Sequence, residues 1–388
     1  MGLVLRRGLE LVAGWLSHML DRALRVGLEQ TALGARRVLL IRLDAIGDFV
    51  LWLEAGRVLA ADLRLQGYEV VLLANSTWAD WASSLGIADE VWALDVRRFR
   101  NGFVYRARWL RKMARAGFVR AIQPAVTRVF RLGDALIEAS AAHERIAFGA
   151  APNDHPALRL LSDRWYSRLI SAPAATDSEL ETNARFMCEL GYSNFEPALA
   201  DLRQSEVSRA ASVLLCPSAS WAGKRWPEAH YVALGRRIAD TGSPVVVAGG
   251  PQDTALVQRI AAAIGSSAAA AVCTDIRMLL ERCLQARLVV ANDSAALHIA
   301  AASGAASVCI SGGGHPGRFL PYPERARLPG PAPVVVERIM ACYGCGWHCI
   351  HSRRPDESAL CLSKIDVEDV WAVMQPIMWA GRVVRSHS

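Results

Sequence analysis

Short unbroken runs of Val, Leu and Ile recur along this chain, and stretches with helical spacing lie between them. A strand that is apolar on both faces needs cover on both faces. The alternation therefore specifies a parallel sheet layered with helices. The first series reads RRVLLIRL at 36–43, a helix near 48–66, EVVLLAN at 69–75, then the short strands EVWALD and FVRAIQP. The second starts at SVLLCPSAS (212–220) and continues through PVVVAGG (244–250), RLVVAND (287–293), ASVCISGGG (306–314) and PVVVER (333–338). Helical patterns fill 228–241, 252–264, 275–286 and 294–303, and a last helix around 366–380 has no strand after it. Residues 150–180, rich in Ala, Pro, Ser and Asp, read as a loop-rich connection ahead of the helix ELETNARFMCELG, and the Ala run at 268–271 as low complexity. The expected fold class is α/β, with two doubly wound Rossmann-like domains facing a cleft. Residues 1–35 would form an amphipathic helix, 36–195 the first domain, 205–340 the second, and 341–388 a Cys-rich loop with the C-terminal helix. A length of 388 residues also suits two domains.

Hydrophobic residues make up 52% and charged residues 21%, enough apolar mass for two cores and too little charge for a disordered chain. The net charge of +7 and pI near 9.1 favour anionic partners: a nucleotide, an acidic glycan or a membrane surface. No DNA- or RNA-binding motif is present, so nucleic acid is not an expected partner. Nine cysteines are an odd number, and Cys188, Cys216, Cys273, Cys283 and Cys309 are scattered, mostly in apolar surroundings. That pattern indicates a reducing compartment rather than a disulfide framework.

No apolar run approaches the roughly 18 residues of a membrane span. Arg6 and Arg7 open the chain, but Glu10, His18, Asp21 and Arg22 interrupt any apolar core of a signal peptide. Leu9, Val12, Ala13, Leu16, Leu20, Ala23, Leu24 and Leu28 instead form a helical stripe opposite Asp21, Arg22, Arg25 and Glu29. Two readings stand: a helix packed on its own protein or on a second subunit, or attachment to a membrane surface. The expected location is the cytoplasm, with or without contact at the inner face of the membrane.

In open α/β sheets ligands bind beyond the carboxyl ends of the strands. There, RLDAIGDFVL (42–51) places Gly47 in a tight turn and Asp48 at a helix start, as a cap or as a general base. The dinucleotide fingerprint is absent. CPSASWAGKRWP (216–227) puts Ser218, Ser220 and Lys224 between a strand end and a helix opened by Pro227. Hydroxyls, loop N–H groups and an ammonium suit a diphosphate, although a loop lysine can also simply be solvated. AGGPQDTAL (248–256) offers Gln252 or Asp253 to ribose hydroxyls. NDSAALHIAAASG (292–304) starts a helix at Asp293 and Ser294, where unpaired N–H groups make an anion site. His298, one turn on, reads alone as a packed histidine. Arg97, Arg98, Arg100, Arg106, Arg108, Arg111, Lys112, Arg115 and Arg120 form either a solvated face or a surface for an anionic acceptor or lipid headgroups. Cys342, Cys345, Cys349 and Cys361 have C-x2-C-x3-C-x11-C spacing, with His348 and His351 as substitutes. They are either free thiols or the ligands of a structural Zn or Fe ion, and so soft a set does not suit Mg or Ca.

Together VLLIRLDAIGD, SASWAGKRWP, AGGPQD and NDSAALHIAAASG, in that order, resemble glycosyltransferase family 9, the ADP-heptose:lipopolysaccharide heptosyltransferases. The resemblance implies a GT-B fold, a nucleoside-diphosphate sugar such as ADP-heptose on the second domain, and a glycan or lipid-linked acceptor of lipopolysaccharide biosynthesis on the first. It implies Asp48 as base and Arg42 near the acceptor. For the donor it implies Lys224, Ser220, Asp293 with Ser294, and His298. The reaction implied is an inverting displacement that requires no metal. Ala295 departs from the glycine usual after the D-[ST] pair. The alternatives are a nucleotide-sugar epimerase of the same fold and a degenerate nucleotide-sugar-binding or assembly protein.

Overall fold

A computed structural model describes residues 2–25, 36–149, 155–174, 176–204 and 208–379. Leu28 and Glu29 of the N-terminal stripe, the side chain of Leu9 and residue 380 of the last helix lie outside the described residues. The chain divides into two compact units. One comprises Met1–Phe49, Ala55–Ala175 and Thr182–Phe195, the other Val50–Glu54, Thr176–Glu181 and Glu196–Ser388.

The first series runs α1 (Gly2–Ala23), β1 (Arg37–Arg42), α2 (Ile46–Leu65), β2 (Glu69–Asn75), α3 (Ala79–Ser84), β3 (Glu90–Leu94), α4 (Val96–Asn101), α5 (Phe103–Arg115) and β4 (Phe118–Gln123). It continues with α6 (Ala135–Ser140), β5 (Glu144–Phe148), α7 (Pro156–Asp163), β6 (Arg168–Ile170) and α8 (Glu179–Glu189). Its described sheet is parallel, in the order β3-β2-β1-β4-β5-β6. Val38, Leu39 and Leu40 are fully buried, as an uninterrupted apolar run in a central strand requires. One face of this sheet packs with Leu110 and Met113 of α5 and Leu136 of α6.

The second series runs β7 (Val213–Cys216), α9 (Glu228–Asp240), β8 (Val245–Gly249), α10 (Thr254–Ile264), β9 (Ala268–Val272), α11 (Ile276–Gln285), β10 (Leu288–Asn292), α12 (Ala295–Ala302) and β11 (Ala306–Ser311). It closes with β12 (Val334–Glu337), α13 (Leu360–Ser363) and α14 (Val367–Trp379). Its described sheet is also parallel, ordered β12-β11-β10-β7-β8-β9. Val370, Trp371, Met374 and Met378 carry α14 into the core of this unit, beside Val308 and Ile310.

Three strands were not foreseen. β5 opens on Glu144 and Arg145, β6 has only three residues, and β9 is the Ala run, a composition with weak strand preference. Pairing with β8 over Val245–Gly249 makes β9 a strand. The 150–180 connection holds α7 and β6.

Candidate functional site

In each sheet the chain builds outward from one strand and then returns to the other side of it. The switch points lie between β1 and β4 and between β7 and β10. Crevices at such points receive ligands.

At the β7/β10 switch, Asn292 ends β10 fully buried. Its Nδ2 donates to Pro217 O (2.8 Å), and its Oδ1 accepts from the Trp226 N–H (2.9 Å). One side chain thus fastens both ends of the loop after β7. Within that frame the Ser218 and Ser294 hydroxyl oxygens are buried without a hydrogen-bond partner. Ser294 is the N-cap of α12, yet its hydroxyl makes no capping bond. Buried polar atoms are almost always satisfied, so two orphans at a strand-end crevice mark a place for acceptor or donor atoms of a ligand. Gly249 leaves room for this arrangement, since a Cβ there would sit 2.7 Å from Ser218 Oγ.

Lys224 lies on the one-turn helix Ala222–Lys224, its Nζ 5.0 Å from the centre of the Trp347 ring. Burial raises the pKa of Asp293, and Lys224 opposes that rise. His315 stands close enough to feel Lys224 and His348, and burial, Arg318 and these neighbours depress its pKa. Ser220 and Gln252 are exposed, and Asp253 is tied to Arg225 at 2.9 Å. His298 does not join this group. It is buried, its Nδ1 lies 2.7 Å from the Tyr322 hydroxyl, and burial pulls its pKa down to about 4. Its Nδ1 is thus taken up by Tyr322 within the fold.

Gly312, Gly313 and Gly314 follow β11, and Cβ atoms there would run into Trp347, Tyr343 and Trp347 respectively. The glycines let the Cys-rich loop lay its aromatic rings on the strand end. Sequence reading missed this, as it missed Asn292 as a staple and His315. The three glycines in a row were the available signal.

The Cys-rich loop itself corrects an expectation. Among the described residues no group of three or more His, Cys, Asp or Glu side chains is drawn together as metal ligands. Cys361 sits near Cys342 and Gly313, and Cys349 lines a hollow with Pro227, His351 and Arg353. Cys342, Cys345, Cys349 and Cys361 as placed do not fit one Zn or Fe ion.

At the β1/β4 switch, the N-cap of α2 is Ala45, and Asp48 lies in the first turn, half-buried. Asp48 is therefore not the cap residue. Arg42, expected to face an acceptor, is only 1% exposed. Its Nε pairs with Asp44 at 2.9 Å and its Nη2 donates to the Asp48 carbonyl at 3.2 Å. Trp78 Nε1 donates to the Asp44 carbonyl (2.9 Å) and Asn75 Nδ2 to that of Leu43 (3.1 Å). The turn bearing Asp48 is thus held from several sides.

On the β4 side Arg128 is buried. It bonds Asp134 (3.1 Å), Asp163 (2.8 Å), Ser162 (3.0 Å) and the Phe148 carbonyl (3.2 Å). Burial works against its charge, but Tyr166, Asp134 and Asp163 outweigh it and raise the Arg128 pKa. The Tyr166 hydroxyl lies 2.6 Å from Asp134 and 2.9 Å from Gln123. Asp134 ends a short π-helical turn, Phe130–Asp134, a feature often retained near functional sites.

Residues 169–330 match the family model described as Glycosyltransferase family 9 (heptosyltransferase). The resemblance to glycosyltransferase family 9 holds. The matched segment carries Ser218, Ser220, Lys224, Gln252, Asp253, Asp293, Ser294 and His298, while Asp48, Arg42 and the four clustered cysteines lie outside it. Lipopolysaccharide heptosyltransferase 2 of Salmonella typhimurium is 30% identical over 146 residues, 36% of this chain and 42% of that protein. The chain spans less than half the length of the heptosyltransferase 2 relatives it matches. E. coli heptosyltransferase WaaC with ADP-2-deoxy-2-fluoro heptose superposes with a TM-score of 0.62 at 17% identity, covering 88% of this chain and 99% of that one. The dodecameric iron-containing heptosyltransferase TibC of enterotoxigenic E. coli gives 0.51 at 13% identity, over 88% and 76%. The fold is GT-B, with two Rossmann-like units in tandem.

Proposed function

We propose that this protein is an inverting glycosyltransferase that moves a sugar, a heptose carried on ADP, to a glycan or lipopolysaccharide-type acceptor. The pair of orphaned hydroxyls on Ser218 and Ser294, beside Lys224 at the β7/β10 switch, carries this reading. In it these three and the exposed Ser220 receive the diphosphate, Asp293 lies beneath Lys224, and Gln252 and Asp253 face the ribose. Asp48 accepts the proton of an acceptor hydroxyl. The hydroxyl oxygen bonds to the anomeric carbon as the bond from that carbon to the diphosphate oxygen breaks. Lys224 and the N–H groups at the start of α12 stabilise the departing nucleoside diphosphate. Arg42 positions the Asp48 turn rather than touching the acceptor. A lipid-linked acceptor would place the protein in the cytoplasm at the inner face of the membrane.

Lys224→Ala tests the donor half. A charge-assisted contact to phosphate contributes about 1.5–3 kcal/mol, so ADP affinity should fall by roughly ten- to a hundredfold in calorimetry, less steeply at high salt. Unchanged affinity would remove Lys224 from the site.

Because TibC is described as iron-containing, the Cys-rich loop is worth assaying. Since no three such ligands are drawn together among the described residues, protein purified without a metal-affinity tag should hold well below about one Zn or Fe per chain. A full equivalent, lost on replacing Cys342 and Cys345 with Ser, would mean that the four thiols close on an ion.

A further inference from the structure

Helix α1 is mounted inside out. Gly14, His18 and Asp21 face the protein: Gly14 lies against Leu158, His18 against aromatic rings, and Asp21 in an ion pair. Arg106 of α5 donates from Nε to Asp21 at 2.8 Å and pairs with it again through Nη2. Arg25 donates to Glu138 at 2.7 Å, and His18 stacks on Trp165 with centroids 4.9 Å apart. The apolar stripe therefore points away from the fold. Trp15 is 51% exposed and Leu16 57%, with Val12, Met19 and Leu20 beside them. A helix normally buries its apolar face and wets its polar one, and the hydrophobic effect alone would have turned this one over.

The ground next to this crest is basic. Leu24 shares a surface hollow with Phe103, Val104, Arg108, Arg111 and Lys112, and Arg111 Nε reaches the Leu24 carbonyl at 3.4 Å. Phe103 and Val104 are themselves exposed. Residues 96–115, all of α4 and α5, contain Arg and Lys but no Asp or Glu. An exposed tryptophan with aliphatic neighbours beside a predominantly basic face, in which Glu90 is paired with Arg37, matches the boundary of an anionic bilayer: rings and methyls in the headgroup layer, guanidinium groups on the phosphates. No described helix is long and apolar enough to cross a membrane, so such a contact lies on the surface. A second copy of the chain would set the same basic face against itself across a two-fold axis.

We propose that the outward face of α1, with the adjoining amino-terminal half of α5, docks this protein onto a membrane surface of anionic phospholipid. The proposal rests on the reading above only in that a lipid-linked acceptor would be met there. The docking face and the donor site are separate and can be tested separately.

The test is flotation of the full-length protein with vesicles of phosphatidylcholine alone or with about a third phosphatidylglycerol, together with ADP calorimetry on the same samples. The protein should float with the anionic vesicles, and added salt should weaken it. Trp15→Ser with Leu16→Ser, both pointing outward, should reduce binding by about tenfold or more without changing ADP affinity. Arg108→Glu should do the same through charge. No flotation of protein that still binds ADP would overturn the proposal, as would equal binding to both vesicle types. Self-association in sedimentation that the Trp15 and Leu16 changes abolish, without vesicle binding, would make a second copy the occupant. Loss of ADP binding in wild type would count against the transferase reading and not against the docking face.

Discussion

Replacing Asp48 with Asn is expected to lower transfer by about 10²–10⁴-fold while donor affinity stays within a few-fold, because a general base acts on the acceptor proton and not on the diphosphate. Asn keeps the size of the side chain and the first-turn position on α2, so the turn braced by Arg42, Trp78 and Asn75 should stay in place. The decisive comparison is turnover with acceptor present against ADP affinity measured alone. Wild-type turnover in Asp48→Asn would remove the base assignment. A parallel collapse of ADP affinity would mean that the substitution disturbed the fold. Arg42→Met gives a useful contrast: as a positioning residue, its loss should slow transfer and also lower the melting temperature.

Arg128→Met should produce the largest loss of stability. Its guanidinium is enclosed by Asp134, Asp163 and Ser162, and removing it leaves the buried Asp134 carboxylate facing Tyr166 and no cation. Breaking a buried pair from one side costs about 3–5 kcal/mol. For a protein of this size that corresponds to a fall in melting temperature of about 5 °C. Arg120→Ala is the control: its pair with Glu144 is half-exposed and should be worth less than about 1 kcal/mol. Equal melting of the two variants would show that the Arg128 network is no more than surface chemistry.

The central strands were legible because VLLI and VVLLA are buried on both faces and leave no other option. The loops that follow them were legible too, since Ser218, Lys224, Asp293 and Asp48 all fall at the two switch points. What escaped was decided by contacts between distant parts of the chain. β9 is alanine and becomes a strand only against β8. His298 carries a motif position yet spends its imidazole on Tyr322. Arg42 was placed near the acceptor by resemblance alone, and only the fold shows it buried and paired with Asp44. The even spacing of apolar residues in α1 was read correctly as amphipathic, but periodicity does not say which side faces inward. That was settled by Arg106 and Glu138, far along the chain.

Anyone shortening this chain to improve its behaviour in solution would meet that arrangement from the other direction. A polypeptide beginning at residue 36 sheds the greasy crest, but it also takes Asp21 from Arg106 and both His18 and Arg25 from Glu138. It leaves a cation and a carboxylate stranded on what had been a covered surface. The trimmed protein would trade stickiness for instability, and a detergent or an anionic lipid additive is the better remedy.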